Sequence, residues 1–590
     1  MKKLFITYLL IFAYTHTSAQ KKTDTKKVND TIKTEVVNVV SSFVATIEDA
    51  FKIKKNPTIQ FYKNTKKKKL NYTIFSAPVA STFKPVSGVV KGISVGKKER
   101  IYNNYIAAGF GNNTTPFAEL FLHYSTKFDN EFSLLAKYIS SESNIKNTPL
   151  SSNYSKFKAG VSFQKEAHYF DWKISLHSAQ EKYNWYGLPA IIFNTNTLQN
   201  IQEEQTYNLF GSEGKLTFKD SYINTVSATV SLFSDAKESR ELHIKFHPKF
   251  HFPMYFLHPN LNDLEIDAKI EFLSGKFKKS YTDFIPVKYN FITASSNPIY
   301  RFKLWNFDLK TGLKLFFSAD TKNSINDFFI YPDVEISYPI IKKYITAFVK
   351  ASGDLHTNTY QKFVDTNPFV SPTLHITQTN EKYHFSGGFS GKITNNINFN
   401  IIGSYKNEED KPLFIRNNSK SDGTFSSISG IDLEGYEFGN SFNVFYDDIK
   451  TFSLFAETEI NITQKITVGI NAQYNLFTVK KQAYAWNLPE IQGTIFGDYK
   501  NEKWYINSTI FIIGDRKDLL YNSTYPSITN GTQLLKSYID ANINGGYNFN
   551  DKFSTFIQLN NVLNTDYQRF ANFNSQGFQV LIGGTWKFDF

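Results

Sequence analysis

The chain has 590 residues, no cysteine, 17% aromatic residues (57 Phe and 35 Tyr among them) and a formal charge of +13. Without cysteine there is no disulfide stapling, Cys-ligated zinc, iron–sulfur cluster or thiol catalysis, and a charge this diluted favours anionic partners without any nucleic-acid signature. The length exceeds one ordinary core with no linker to split it, and a mean hydropathy of −0.35 is low for so aromatic a chain unless its apolar residues alternate with water-facing ones.

Met1-Lys-Lys3 is a basic start, Leu4–Tyr14 an apolar run too short to span a bilayer, and Thr17-Ser18-Ala19 a small-residue cleavage site. Residues 1–19 therefore read as a secretory signal peptide, with no cysteine behind it for a lipid anchor. No later segment has 18 consecutive apolar residues, so an exported chain of this kind crosses a membrane only as strands. Residues 20–100 read as a periplasmic N-terminal arm. Gln20–Lys33 is rich in Lys, Thr and Asp and has the composition of a disordered segment. Within the arm, the run Lys66, Lys67, Lys68, Lys69 fits a solvated loop or topology determinant, or a contact to lipid phosphates or an acidic partner.

Residues 101–590 alternate with period two. Ala118, Leu120, Leu122 and Tyr124 oppose Glu119, Phe121, His123 and Ser125; Ile466, Val468, Ile470, Ala472, Tyr474 and Leu476 oppose Thr467, Gly469, Asn471, Gln473 and Asn475. Ile539, Ala541, Ile543 and Tyr547 oppose Asp540, Asn542, Asn544 and Asn548, while the strand from Trp504 to Ile512 alternates only in part because Phe511 breaks its polar face. The apolar sets predict a lipid face and the amide- and acid-rich sets a wet lumen. Strands of about 10–14 residues are expected, enough to cross hydrocarbon at a tilt. Short Asn/Asp/Lys turns at Lys127–Asn130, Ile393–Asn396, Asn461–Gln464, Tyr499–Glu502 and Asn548–Asp551 separate strands at one end. Longer gaps at Gly187–Gln205, Asp354–Lys382, Glu408–Glu437 and Lys517–Gln533 predict loops at the other.

In the segment Leu242–Phe252, His243, Lys245, His247, Lys249 and His251 share one face. Histidines four apart on a strand stand roughly 13 Å apart at about 3.3 Å per residue, whereas one zinc needs its nitrogens about 2 Å away. No metal site is read here. The set predicts a lumenal basic row whose charge rises at low pH and which attracts anionic solutes or a phosphate-bearing glycolipid; an ordinary wet wall or outer-loop flank is the plainer alternative. No spacing of Ser, His and acid marks a nucleophile and base, the pairs Glu203-Glu204 and Glu408-Glu409 read as solvated loop charges, and neither an enzyme nor a cofactor is expected.

The last strand places Phe578, Val580, Ile582, Gly584, Trp586, Phe588 and Phe590 on one apolar side. An uncovered apolar ending is a liability in water and a closing strand in a barrel. Trp586, Phe588 and Phe590 are the expected closure residues, and the ending resembles bacterial outer-membrane barrels, whose last strand is read by the barrel assembly machinery. Thr34–Val40 resembles a TonB box. Tyr105–Leu120, the segments Gly353-Asp-Leu-His, Asn367-Pro-Phe and Thr379-Asn-Glu-Lys-Tyr383, and Gln558-Leu-Asn-Asn-Val-Leu-Asn-Thr-Asp-Tyr567 resemble TonB-dependent receptor-like barrels of the Bacteroidetes group. The resemblance covers about Tyr102–Phe590 and implies an all-β transmembrane barrel of about 22 strands in the cell outer membrane. It departs from that family in showing no plug domain before the barrel. The implied function is to pass or bind a solute through a polar lumen. The alternative is a non-transporting subunit of an outer-membrane protein or lipopolysaccharide assembly or export complex. The implied partners are outer-membrane lipid, lipopolysaccharide and other envelope proteins.

Overall fold

The structure, a computed structural model, describes residues 102–590 except 127–129, 143, 147, 256–261, 284 and 522–528. The expected signal peptide 1–19, the expected arm 20–100 with Thr34–Val40 and Lys66–Lys69, and most of the expected Lys127–Asn130 turn lie outside the described residues. Twenty-two antiparallel strands form one sheet that closes on itself. Its first strand, Asn104–Gly111, pairs with Thr115–Ser125 on one edge and with the last strand, Gln579–Phe588, on the other. The closing register sets Ile106 opposite Trp586 and Asn104 opposite Phe588. Among the described residues no helix is long and apolar enough to cross a membrane. Every backbone donor and acceptor in the wall can be paired with a neighbouring strand, the condition for a chain crossing lipid as strands.

The expected alternation sets the two faces. Trp586 (51% exposed) and Val349 (63% exposed) stand on an outer belt of aromatic and aliphatic side chains uncovered by protein, whereas Glu119 is buried against the inner wall and reached by Lys137 Nζ at 3.0 Å. The same inner face carries Lys310 with Asp333 at 2.7 Å and Lys406 with Glu381 at 3.4 Å. An apolar belt this extensive is far larger than a soluble monomer exposes, so it is covered by acyl chains, while the ion-paired inner face needs water. Trp586 and Phe588 stack at 4.8 Å on the belt; Phe590 lies just past the paired residues and meets Phe588 edge-on at 5.6 Å.

Strand length departs from the expectation. Strands range from 8 residues (Asn104–Gly111) to 22 (Phe442–Thr463), and Ile397–Arg416 has 20. At one end the connections are short apart from 253–263, and the expected turns near 395, 464, 501 and 550 are present. At the other, strands run on past the hydrocarbon, where the inner face packs in apolar clusters (Leu413, Ile415, Phe442, Val444) and the outer-apolar, inner-polar pattern lapses. The long loops are therefore displaced: they span residues 185–203, 357–378 and 417–441, and the fourth contains a hairpin, Arg516–Tyr521 with Thr529–Leu535. For the same reason Glu408 and Glu409 lie in a strand, at a register shift, and Glu408 is buried beside Lys411 instead of solvated in a loop.

Candidate functional site: the long-loop mouth

The long loops fold over the mouth onto a shared core. Loop 185–203 contains α1 (Thr195–Asn200), whose N-cap Asn194 accepts from Thr197 N at 2.7 Å. Loop 357–378 contains α2 (Tyr360–Thr366), whose N-cap Thr359 accepts from Lys362 N at 3.1 Å. Trp185, Tyr360, Phe363, Val370, Phe438, Phe442, Phe570 and Phe573 are all buried in one cluster drawn from these loops, loop 417–441, the last loop 561–578 and strand ends. Phe369 stacks on Phe573 at 3.8 Å, Trp185 meets Tyr436 at 5.2 Å and Phe277 of the wall meets Tyr360 at 4.9 Å. Such rings contribute roughly 0.5–1.5 kcal/mol per pair beyond the area they bury.

Polar ties fix the loops to one another. Ser371 N donates to Phe442 O at 2.8 Å and Phe442 N to Phe369 O at 3.0 Å, a scrap of sheet between loop 357–378 and the start of the strand Phe442–Thr463. Asn440 Nδ2 donates to Trp185 O at 2.6 Å and to Gly435 O at 2.8 Å. Gly435 itself is demanded by close approach: a Cβ there would stand 1.6 Å from Gln202 O. Glu437 is buried, and Lys279 and Lys420 reach it at 2.7 and 2.8 Å while Glu434 N donates to its Oε2 at 2.8 Å. Burial opposes the Glu437 charge, but the two ammonium groups outweigh it and hold the carboxyl below its ordinary range.

The wall holds the roof through carboxylates. Glu241 accepts from Tyr360 N at 2.6 Å, Gln361 N at 3.1 Å and the Tyr289 hydroxyl at 2.7 Å. It thus satisfies the first-turn amides of α2, which have no partner within the helix, and does so with the charge that end prefers. Asp235 accepts the Tyr360 hydroxyl at 2.7 Å, and Glu271 accepts the Thr357 hydroxyl at 2.9 Å. A second cluster secures the projecting hairpin: buried Asp518 accepts from Leu519 N at 2.8 Å, and burial pushes its carboxyl up although Arg416 acts against this.

The predicted basic row is on the inner face, but as one half of a ladder. His243 and Lys245 face Glu271 at 3.6 and 3.9 Å, His247 and Lys249 share Asp267, and His251 pairs with Asp263 at 2.7 Å. The row is therefore largely neutralised by the next strand. Backbone pairing with that strand lapses at His247 and Pro248 and resumes in the same register at Lys249. Sequence reasoning missed the acids, although Asp263, Asp267 and Glu271 recur every fourth residue on one strand face, a signal as regular as that of the basic residues. It also missed Glu241 and Asp235, whose role depends on a helix more than a hundred residues away. Among the described residues no group of three or more His, Asp or Glu is placed to hold a metal ion.

No protein-family model matches the sequence, and no curated protein matches it. Solved structures do match its fold. The FrpB iron transporter from Neisseria meningitidis superposes with a TM-score of 0.60 over 83% of this chain and 82% of that one, at 10% identity. The pyoverdine outer membrane receptor FpvA of Pseudomonas aeruginosa, bound to pyoverdine, gives 0.59 over 84% and 79% at 11% identity. The siderophore receptor PirA from Acinetobacter baumannii gives 0.59 over 82% and 80%, also at 11%. The shared fold is a closed 22-stranded barrel, and it places the chain in the cell outer membrane.

Proposed function

We propose that the chain is an outer-membrane receptor of TonB-dependent type, which captures a bulky solute at the long-loop mouth and passes it down the lumen when the roof opens. The observation that carries this reading is the roof: four loops share one aromatic core, and one of them, 357–378, is tied to the wall by exchangeable hydrogen bonds at Glu241, Asp235 and Glu271. A lumen lined by ion pairs lies on the inner face of the same barrel. Both ends of the barrel-forming segment lie at the short-turn end, since Asn104 pairs with Phe588 there. That suits a periplasmic arm at 20–100 and turns the loops outward. In this proposal the roof seals the long-loop mouth. The fold neighbours named for siderophores and iron support a ferric chelate as the first solute to test. A scaffold subunit has less to gain from a sealed mouth above a polar lumen.

The test is equilibrium binding of a panel of ferric chelates to the purified full chain in detergent, read by tryptophan emission, since Trp185 lies in the roof core. Saturable quenching by one chelate, with low resting conductance in a planar bilayer, is expected. Absence of saturable binding, together with stoichiometric co-purification of other envelope proteins, overturns the proposal in favour of the scaffold reading.

A further inference from the structure

Several strands away from the basic row, a cavity of about 440 Å³ indents the inner wall, and its floor is a run of small residues. Ser386, Ser404 and Ser453 are direct register partners on three neighbouring strands, Thr379–Thr394, Ile397–Arg416 and Phe442–Thr463, and Lys350 of Ile345–His356 continues the row. The row faces inward and lies at the depth of the belt, since Val349, Phe385, Ile401 and Leu454 on the same strands are exposed on the outer side. The next row towards the short-turn end holds Phe348, Gly388, Ile402 and Phe455; the next towards the mouth holds His384 and Lys406. At about 4.8 Å between strands the three serines floor a trough roughly 10 Å long, with one apolar wall and one basic wall.

The protein leaves the polar groups of this trough unspent. On the same inner face Lys310, Lys314 and Lys406 are each held by a carboxylate, at 2.7, 2.7 and 3.4 Å. Among the described residues Lys350 forms no ion pair, and neither does Glu335, its register partner, which also lines the cavity. Ser453 Oγ donates to Asn475 Oδ1 at 2.7 Å, whereas the Ser386 and Ser404 hydroxyls have no hydrogen-bond partner among the described residues. We propose that the trough binds an aromatic carboxylate. The carboxylate accepts from Lys350 and from the Ser386 and Ser404 hydroxyls. The ring lies over Gly388, where the wall brings no side chain, against Phe348, Ile402 and Phe455. Gly388 and Ser386 are two residues apart on one strand, about 7 Å, which matches half the length of a benzoate plus one hydrogen bond of about 2.8 Å. Hydrogen bonds to a charged group are the strong ones, and a pocket of this volume admits a ring with its substituents. An inorganic oxyanion leaves the apolar wall uncovered, and an aromatic alcohol leaves the Lys350 ammonium without a counter-charge. Glu335 opposes the bound anion, so neutralising it strengthens binding. The site goes beyond capture at the mouth: a small acid can rest on this wall whichever solute the roof admits.

The experiment uses the full chain in detergent and fluorine-detected NMR of para-fluorobenzoate, with para-fluorobenzyl alcohol and inorganic phosphate as comparison probes and empty micelles as the blank. Saturable line broadening of para-fluorobenzoate, reversed by excess benzoate, is expected, with the alcohol and phosphate at least tenfold weaker. Lys350→Met removes the charge-assisted bond and is expected to weaken binding roughly tenfold to a hundredfold. Glu335→Gln, one strand away, is expected to tighten it roughly two- to fivefold. Opposite signs from two neighbouring variants exclude a shared loss of fold as the cause. Absence of saturable binding, equal binding of the alcohol, an unchanged affinity in Lys350→Met, or weakening by both variants overturns the proposal. Chelate capture at the mouth is read separately by tryptophan emission and is untouched by any of these results.

Discussion

Replacing Glu241 by Gln tests whether the wall carboxylate holds the roof. Glu241 receives two backbone N–H groups of α2 and one phenol, at 2.6, 3.1 and 2.7 Å, and all three are donors in this arrangement. A glutamine keeps one oxygen, which can go on serving Tyr360 N and the Tyr289 hydroxyl, but its amide nitrogen then meets Gln361 N–H, donor against donor. Hydrogen bonds to a charged group contribute roughly 1.5–3 kcal/mol each, and a buried donor left unmatched costs about 1–3 kcal/mol. A net loss of about 3 kcal/mol is expected, which raises the undocked population of loop 357–378 roughly a hundredfold. Hydrogen exchange measured peptide by peptide reads this directly. Amides across Tyr360–Phe363 should exchange about a hundredfold faster in Glu241→Gln, while those of the distant strand Ile466–Val479 keep their protection, because local opening does not require the barrel to open. Unchanged exchange at Tyr360 and Gln361 would refute the argument that Glu241 is the anchor; uniform loss over all strands would show that it holds the barrel instead.

The Gly435→Ala variant should displace loop 417–441, since its Cβ falls 1.6 Å from Gln202 O, and trypsin should then cut at Lys420 much faster than in the unaltered chain. Glu437 has a carboxyl held below its ordinary range, so its contribution to roof stability is complete above that range and is lost as pH falls through the depressed value. Tryptophan emission should accordingly shift red on acidification below about pH 4.5, and Glu437→Gln should show the altered emission already at neutral pH. Asp267→Asn removes the acid shared by His247 and Lys249 and should make the inner wall more anion-selective, read as a shifted reversal potential in a roof-opened variant such as Gly435→Ala; an unchanged potential would mean that the basic row does not meet the conducting water. Truncation of Trp586 to Ala removes the ring that stacks on Phe588 at 4.8 Å and should lower the yield of heat-modifiable, folded barrel in the membrane.

The barrel was legible in sequence because one physical constraint acts on every crossing: lipid on one face and water on the other force a period of two, as in Ala118–Ser125 and Ile466–Leu476. Where that constraint lapses, so did the reading. Beyond the membrane Ile397–Arg416 and Phe442–Thr463 continue as strands whose inner residues Leu413, Ile415, Phe442, Val444 and Ile449 are buried among apolar neighbours, so an apolar residue there no longer marks the lipid face. The basic row was legible as a row because its members share a strand, but its neutralisation is a property of register with the neighbouring strand. The roof left even less trace. Trp185, Tyr360, Phe442 and Phe573 lie in four separate stretches, and nothing local distinguishes a ring destined for a loop core from one destined for lipid.

The seam has a mechanical consequence. The two chain segments that meet there are each at an end of the barrel sequence, and one of them is an eight-residue strand, against 22 residues in the longest. A force applied to either end of the barrel segment therefore loads this ladder of eight residue pairs first, through Asn104 and Phe588 at the same rim. The molecule should peel from that line, hairpin by hairpin, with the deep strands around residues 400–460 the last to leave the bilayer.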